Sequence, residues 1–509
     1  MQSKVLMINP FQVFNGSRFE NEFPTHLVHL ATFLKANLEN QVDIQFLDFI
    51  MERLINKNLS FYNENFLKNF LKDFIDVNFT FNAQDTFFIV LSCLTSFQYV
   101  PSKMILDVIK KLEEEKAIPP AYVVVGGYHP SVMAGDFKGL GVDYLVRGEG
   151  EIALLDIVRR DRKKPYHKQM EKKLIVNVIN GTPIQNMDDL PRTNFNLYNR
   201  YLKYYPHVSV ALSRGCPRQC AFCVEDYLQG LRYKRWRSFS IQKAKEEIDN
   251  LINVTESQLG QNSDGMIGFY DPIFGFNLRW REKILQYLID KNNDYKYWAE
   301  TRIDAIKRKH VSDFKRANLY FMFGLESGSK QMLFLMNKSN NPSKYLDNAA
   351  KFLNLAMQEN YGPLIINLIF NFPGETKNTL DESFNFLTKL VDDGVFFLTN
   401  HLTYGLYPGD NIFQHLNYWK TFHGTKIHYP TWWKTLETST FGDIIDASRS
   451  FSFNQANNQI HSRLTSLLRK SIDIAPGLPY RIEMIRRLKQ QKNSHHRKAI
   501  GYENSFVNA

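Results

Sequence analysis

The sequence predicts an α/β protein of two successive parallel-stranded units, with a smaller, mostly helical region after them. Three observations carry that prediction. Short, continuously apolar segments alternate with helical stretches from the first residues onward, the pattern of strands buried on both faces by helices. From residue 208 the alternation restarts and runs through six further strand–helix units, short of the eight that close a full barrel. A length of 509 residues suits two or three domains, and a hydrophobic content of 44% supplies their cores.

In the first unit, Lys4–Ile8 is expected as a strand, followed by a loop and a helix over Thr25–Leu38. Val42–Leu47 and Phe87–Ser92 are the next strands, and Pro101–Glu115 is a helix. Ala121–Val125 is an apolar strand ending in Gly126-Gly127, and Val142–Val146 is the last strand. Doubly wound sheets bind ligands at the carboxyl ends of their strands. Ser92-Cys93-Leu94-Thr95 and Gly126-Gly127 stand at two such ends. Glycine there lets a bulky ligand approach the backbone. His129, just beyond, reads most simply as a solvated rim histidine. Lys173–Pro191 reads as a short hairpin and tether, with a boundary near residue 195.

In the second unit the expected strands are Val208–Ser213, Met266–Tyr270, Tyr297–Thr301, Leu319–Leu325, Leu364–Phe370 and Phe396–Thr403. Helices are expected over Ile241–Asn253, Leu278–Lys291, a stretch ending near Ala317, Ser343–Gln358 and Leu380–Val391. Barrel chemistry gathers at the carboxyl ends of the strands. Those ends carry Asp271 in Tyr270-Asp271-Pro272, then Glu300 and Arg302, then Glu326 and Ser327 in Gly324-Leu325-Glu326-Ser327-Gly328. Arg302 offers a bidentate fork for a carboxylate. Asn367 lies in the fifth strand, before Phe372-Pro373-Gly374-Glu375-Thr376, and Tyr407-Pro408-Gly409-Asp410 follows the sixth. The competing account is local: Asp304 caps the helix after it, and Pro-Gly pairs make turns.

The chain has four cysteines, and three of them share one loop: Cys216, Cys220 and Cys223, in Gly215-Cys216-Pro217-Arg218-Gln219-Cys220-Ala221-Phe222-Cys223. Three thiolates can hold three irons of a four-iron cluster and leave the fourth open to a substrate. Zinc more often takes paired CxxC ligands, and no second Cys or His pair is near in sequence. A disulfide would leave an odd thiol. Lys4–Ile8 does not read as a secretory leader, and no apolar run is long enough to span a bilayer. A cytoplasmic, reducing location is therefore expected, where clustered cysteines mean metal or redox chemistry.

With Phe222 just before its last cysteine, this loop resembles the signature of radical SAM enzymes. The resemblance implies a partial (β/α)6 barrel, a [4Fe-4S] cluster on Cys216, Cys220 and Cys223, and S-adenosyl-L-methionine (SAM) on the open iron. It also implies SAM contacts from Phe222, Asp271, Arg302, Glu326 and Ser327, and an external electron donor of the flavodoxin or ferredoxin type. The first unit resembles a Rossmann-like cobalamin-binding domain, on Ser92, Leu94, Thr95, Gly126 and Gly127. Arg147-Gly148-Glu149-Gly150-Glu151 resembles the end of that domain in cobalamin-dependent (class B) radical SAM methyltransferases. One feature departs: cobalamin domains carry Asp-x-His-x-x-Gly after the first strand, and Asn9-Pro10-Phe11-Gln12-Val13-Phe14-Asn15-Gly16 has no histidine.

The net charge is +11 and the pI about 9.1. Basic residues are spread along the chain and concentrate at Arg481–Arg497, a tail with His495 and His496 that reads as solvated. Nucleic acid is thus not the expected partner; a small molecule or peptide is. An RNA methylthiotransferase would need three further N-terminal cysteines, and only Cys93 is there. Residues 411–509 match no pattern. Their Trp419, Tyr429, Trp432 and Trp433 suit either a substrate pocket or a core, and a helix is expected over Asn457–Lys470. The expected organisation is a cobalamin-binding domain (1–165), a connector (166–194), a radical SAM barrel (195–410) and a substrate-related region with a basic tail (411–509). The expected activity is C-methylation of an unactivated or aromatic carbon of a natural product or peptide, with a cobalamin-dependent cyclase or ring-rearranging reaction, or RNA modification by a radical SAM enzyme, as the alternatives.

Overall fold

The computed structural model describes residues 2–11, 22–57, 59–162, 176–231, 236–259, 263–435 and 444–474. Positions 12–16 of the loop after the first strand, the start of the expected hairpin at Lys173 and the basic tail lie outside them.

The first unit runs β1 (Ser3–Asn9), α1 (Thr25–Leu38), β2 (Val42–Asp48), α2 (Phe49–Ile55), α3 (Glu64–Asn78), β3 (Thr86–Ser92), α4 (Tyr99–Glu114), β4 (Ala121–Gly126), α5 (Tyr128–Val132), β5 (Tyr144–Arg147), α6 (Glu151–Asp161) and β6 (Asn177–Asn180). All six strands are parallel, in the order β2-β1-β3-β4-β5-β6. β1 and β3 are buried along their whole length, as two-sided coverage requires. Leu27 and Ala31 of α1 pack with Leu154 and Val158 of α6 in the core on one face; Leu67 of α3 and Ile109 of α4 belong to the core on the other. The segment expected as a hairpin supplies β6 instead, paired parallel with β5 from Tyr144↔Asn177 to Arg147↔Asn180. Its residues are mostly exposed, so it carries little of the apolar signal that marks a buried strand.

After α7 (Asn199–Leu202), the second unit contains β7 (Val208–Val210), β8 (Ser213–Arg214), α8 (Glu225–Gln229), β9 (Arg237–Ser238), α9 (Ile241–Val254), β10 (Met266–Phe269), α10 (Leu278–Lys291), β11 (Lys296–Arg302), α11 (Val311–Arg316), β12 (Leu319–Glu326), α12 (Lys330–Leu335), α13 (Pro342–Gln358), β13 (Ile365–Phe370), α14 (Lys377–Asp392) and β14 (Leu398–Thr403). Its parallel sheet runs β14-β13-β12-β11-β10-β7, six strands in chain order, as an open barrel requires. The first strand stops at Val210 rather than Ser213. The Asp271 carboxylate accepts from Leu212 N (3.2 Å) and from Ser213 Oγ, turning the chain into the short antiparallel pair β8–β9.

The remaining elements are α15 (Asn411–Gln414), α16 (Leu416–His423), β15 (Lys426–Ile427), β16 (Ile445–Asp446) and α17 (Phe453–Ile474). α17 packs on α14, with Arg463 paired to Asp381 at 2.5 Å. Trp419, Trp432 and Trp433 are core rather than pocket, all nearly fully buried. Trp433 Nε1 donates to Asp136 Oδ2 (2.7 Å) and Trp432 Nε1 to Leu406 O (2.7 Å), while Tyr429 stays half exposed. The region thus clamps the barrel to the first unit. His129 is not solvated either: it is buried against Tyr99, Phe137 and Trp433, with Nδ1 2.9 Å from Ser96 Oγ. Two further staples join the units. Thr25 Oγ1 donates to Ser209 O of β7 (3.0 Å), and buried Asp48 accepts from Tyr198 (2.5 Å) and Tyr205 (2.6 Å). Among the described residues no helix is long and apolar enough to cross a membrane.

Candidate active site

The cysteine loop follows Gly215, whose φ of +83° favours glycine and aims the chain back across the strand ends. Three contacts fix the loop. Ala221 N donates to Met336 O (2.9 Å), Asn337 Nδ2 to Gln219 O (2.7 Å), and Asn411 N to Ala221 O (3.1 Å). None of the three thiols is in a disulfide; Cys220 is buried and Cys216 and Cys223 are partly so. Burial pushes the Cys216 and Cys223 thiols up, and nearby sulfurs and Glu225 push them further, which sets the three sulfurs in one another's field. A multivalent cationic centre reverses that penalty by taking the thiols as thiolates. Among the described residues no three His, Cys, Asp or Glu side chains converge on a single metal ion. The donor set, three sulfurs on one loop, fits an iron–sulfur group.

Beside the loop, the barrel's strand ends hold a buried polar cluster. Glu326 has φ +70° in a bulge of β12, an uncommon conformation for a side-chain-bearing residue. Its carboxylate folds back over Gly324 and pairs with buried Lys338 at 2.8 Å; a Cβ on Gly324 would lie 2.4 Å from Glu326 Oε1. Lys338 Nζ also stands 5.9 Å from the Phe222 ring centre, which ties this pair to the cysteine loop. Glu300 of β11 keeps an exposed side chain, yet the protein around it, desolvating it, and then Glu326 push its carboxyl up to about 7, against Lys338.

The other expected contacts behave differently. The Arg302 fork is filled from within the chain by Asp304, at 2.9 and 3.0 Å, and its Nη1 reaches Cys220 Sγ at 3.3 Å. Asp304 therefore holds Arg302 and caps no helix. Burial raises the Asp271 carboxyl to about 7, against hydrogen bonds from Ser213 and Leu212, so it serves the turn into the cysteine loop. Ser327 Oγ points to α14, 2.9 Å from Ser383 Oγ. Glu375 is buried in its own turn beside Asn371 N, and Asp410 caps α15 through Phe413 N (2.8 Å), both structural roles.

A cavity of about 380 Å³ lies between the first sheet and the barrel rim. Its floor is the apolar strand surface of Val90, Val124, Gly126 and Val146, with Ser92, Leu94 and Thr95 at the rim. Leu30 of α1 and Leu154 of α6, helices packed together on that face of the sheet, also line it, and Gly215 and Tyr270 line it from the barrel side. Two histidines sequence reasoning missed also line it. His26 Nε2 is 2.8 Å from Ser92 Oγ, and His29 Nε2 is 3.1 Å from Thr193 Oγ1. Burial lowers them to about 4 and about 3, so both are neutral near pH 7. An apolar slot with neutral imidazoles and a serine hydroxyl fits an uncharged heteroaromatic group. The two glycines divide their roles. Gly126 borders the open slot, its added Cβ meeting nothing nearer than 3.7 Å. Gly127 (φ +123°) instead allows a close approach of the chain to itself, since its Cβ would lie 2.3 Å from Cys93 O. Lys338 was also missed; it lies in a loop twelve residues after Glu326, where no pattern marks it.

Residues 210–387 match the Radical SAM superfamily. The chain carries a radical SAM domain. The matched span opens at Val210, the last residue of β7, and ends within α14, so it contains the cysteine loop and the Glu326 cluster. Chemistry in this superfamily runs on a [4Fe-4S] cluster and SAM. Over a longer span that includes the domain, the chain is 25% identical over 407 residues to an uncharacterized methyltransferase, PH0819, of Pyrococcus horikoshii, covering 77% of this chain and 78% of that protein. Two solved structures share the whole architecture. The cobalamin-dependent SAM radical enzyme OxsB with aqua-cobalamin bound has a TM-score of 0.64 at 17% identity, over 98% of this chain and 71% of that one. The radical SAM methyltransferase TsrM of Kitasatospora setae, with tryptophan and a SAM analogue bound, has a TM-score of 0.62 at 15% identity, over 91% and 88%. The α/β fold, with its N-terminal Rossmann-like unit before the radical SAM barrel, is therefore that of cobalamin-dependent radical SAM enzymes.

Proposed function

We propose that this protein is a cobalamin-dependent radical SAM methyltransferase acting on carbon. One observation carries the reading: the cavity at the strand ends of the first sheet reaches Gly215, the residue before Cys216. A group seated there faces whatever the cysteine loop holds, and proximity of two reactive centres is the main contribution a fold makes to such chemistry. When bound, the cluster and SAM supply one-electron cleavage of a sulfonium, and cobalamin supplies a transferable methyl.

The chain's own residues do the rest. Cys216, Cys220 and Cys223 would hold three irons, with Arg302 donating toward the Cys220 sulfur. Glu326, held by Lys338, and Phe222 would border SAM, and Glu300 faces the barrel interior where a substrate enters. Ser92, Leu94, Thr95 and Gly126 would hold the cobalamin tail, with His26 as a neutral hydrogen-bond partner. Asp271, Arg302, Ser327 and Gly127 would act as supports of these groups, because their polar atoms or close contacts are already spent within the chain. The similarity to PH0819 and the fold shared with TsrM support methyl transfer, and the fold shared with OxsB supports the dependence on cobalamin; the substrate class is a small molecule or peptide.

The test is anaerobic reconstitution of the full chain with iron, sulfide and cobalamin. About four irons and one cobalt per chain are expected, with formation of 5′-deoxyadenosine or S-adenosylhomocysteine from SAM under reduction. The triple variant C216A/C220A/C223A should lose the iron and keep the cobalt. Iron without cobalt would end the cobalamin reading, and neither product from SAM would end the enzymatic one.

A further inference from the structure

The Arg147–Glu151 segment takes no part in the chemistry above, yet it grips the chain at the entrance to the cysteine loop. Glu149 and Glu151 are buried and both border the cavity. Arg214, two residues before Cys216, pairs with both: Nη1 with Glu149 Oε2 at 3.1 Å and Nη2 with Glu151 Oε1 at 2.6 Å. Its cross-strand partner Arg237 is also buried and bonds Glu149 Oε1 and Ile184 O. Two carboxylates thus balance two guanidiniums, the condition under which buried charges are tolerated. Glu151 opens α6, where the helix N-terminus favours its charge.

On the opposite side, Asp271 of the barrel holds Leu212 N and Ser213 Oγ. The three residues leading into the cysteine loop are therefore clamped by both units at once, Leu212 and Ser213 by the barrel and Arg214 by the first unit. Gly215 then turns straight into Cys216. A displacement of α6 or of the 147–151 turn by a ligand entering the cavity bears on Arg214, because its guanidinium bridges both carboxylates through charge-assisted hydrogen bonds.

We propose that Glu149 and Glu151 are positioning residues that set the cysteine loop against the cavity through Arg214, so that binding in the cavity and assembly of the cluster are energetically coupled. The inference rests on the two-cofactor reading above. Coupling of this kind is reciprocal and typically amounts to roughly 5- to 150-fold in affinity.

The measurement is hydroxocobalamin affinity, read from the corrin absorbance, of cluster-free and cluster-reconstituted full-length protein. Wild type, E151Q and the charge-balanced double variant E151Q/R214Q are compared, the double variant because it leaves no lone buried charge. In wild type the two affinities should differ by about fivefold or more. In both variants the difference should shrink below about twofold, while each still binds cobalamin and takes up iron. The EPR signal of the reduced cluster should respond to cobalamin in wild type and not in the double variant, a readout that simple loss of stability would not move. Equal affinities in wild type, or a difference that survives in the double variant, overturns the coupling while leaving the two-cofactor reading intact. No cobalamin binding by wild type in either state overturns both.

Discussion

Gly126 and Gly127 are neighbours in sequence, and the structure assigns them opposite consequences on substitution. At Gly127 (φ +123°, ψ −175°) the backbone sits in a region that only glycine occupies freely, a strain of about 1–3 kcal/mol for alanine. The new Cβ would also meet Cys93 O at 2.3 Å, Cys93 C at 2.6 Å and Leu94 N at 3.0 Å, all backbone atoms at the end of β3 that cannot rotate away. Overpacking of that kind adds roughly 1–3 kcal/mol, so Gly127→Ala should cost about 2–6 kcal/mol in total, combining both terms. Gly126→Ala meets only Val146 O at 3.7 Å and Val146 Cβ at 3.9 Å, ordinary contacts, and replaces a glycine inside a strand. It should leave stability unchanged or raise it by about 0.5 kcal/mol. Its methyl group projects into the cavity, and so it should weaken cobalamin retention while the fold survives. Urea unfolding followed by circular dichroism separates stability, and corrin absorbance after gel filtration separates binding. A Gly127→Ala protein as stable as wild type would refute the account of the close approach. A Gly126→Ala protein that unfolds more readily than Gly127→Ala would refute the division of roles.

Two further substitutions test the buried charges. Lys338→Met leaves the Glu326 carboxylate without its partner beside Glu300, and breaking a buried pair costs about 3–5 kcal/mol; Lys338→Met with Glu326→Gln should recover most of that loss in thermal unfolding, and failure to recover would mean the pair is not what Lys338 stabilises. Burial raises the Glu375 carboxyl to about 8 from an ordinary 4.5, so the folded state binds its proton more tightly than the unfolded state does. Stability from this group is then full below about 4.5 and is lost as pH rises toward 8. Glu375→Gln should gain stability over wild type progressively across that window, and a gain that instead grows toward acid would contradict the burial.

The sequence makes each half of the molecule legible because strand and helix periodicities are local. Thr25–Leu38 and Leu278–Lys291 form helices with the expected bounds, and all six barrel strands lie where their apolar runs stand. The cysteine loop is legible for the same reason: its spacing is contained in one turn. What escapes is whatever depends on a partner far along the chain. β6 is too polar to announce itself and exists because β5 offers an edge. His26 and His29 read as ordinary helix residues until Ser92 and Thr193 are brought to them. Arg302 escapes for another reason: its partner Asp304 is only two residues on, and it is the local backbone turn after β11 that folds the carboxylate onto the fork.

The same distinction bears on how the site is made. Neither unit contains it alone: the cavity needs α1, α6 and the ends of β3 and β4 from one side, and Gly215 and Tyr270 from the other. Its dimensions are set by contacts between residues distant in sequence, Thr25 with Ser209, Asp48 with Tyr198 and Tyr205, Arg214 with Glu149 and Glu151, and Trp433 with Asp136. The last of these explains the buried tryptophans of the C-terminal region. An open, six-stranded barrel cannot hold a neighbouring domain by its own curvature, and an aromatic clamp across both units supplies apolar area with directional indole hydrogen bonds. If the clamp sets the cavity, then Trp433→Phe, which keeps the ring but loses the bond to Asp136 at a cost of about 1 kcal/mol, should loosen the interface more than either core. Hydrogen exchange should then rise at α5 and around Asp136 while α9 and α10 stay protected. Uniform loosening of the barrel would show that Trp433 serves the barrel core instead.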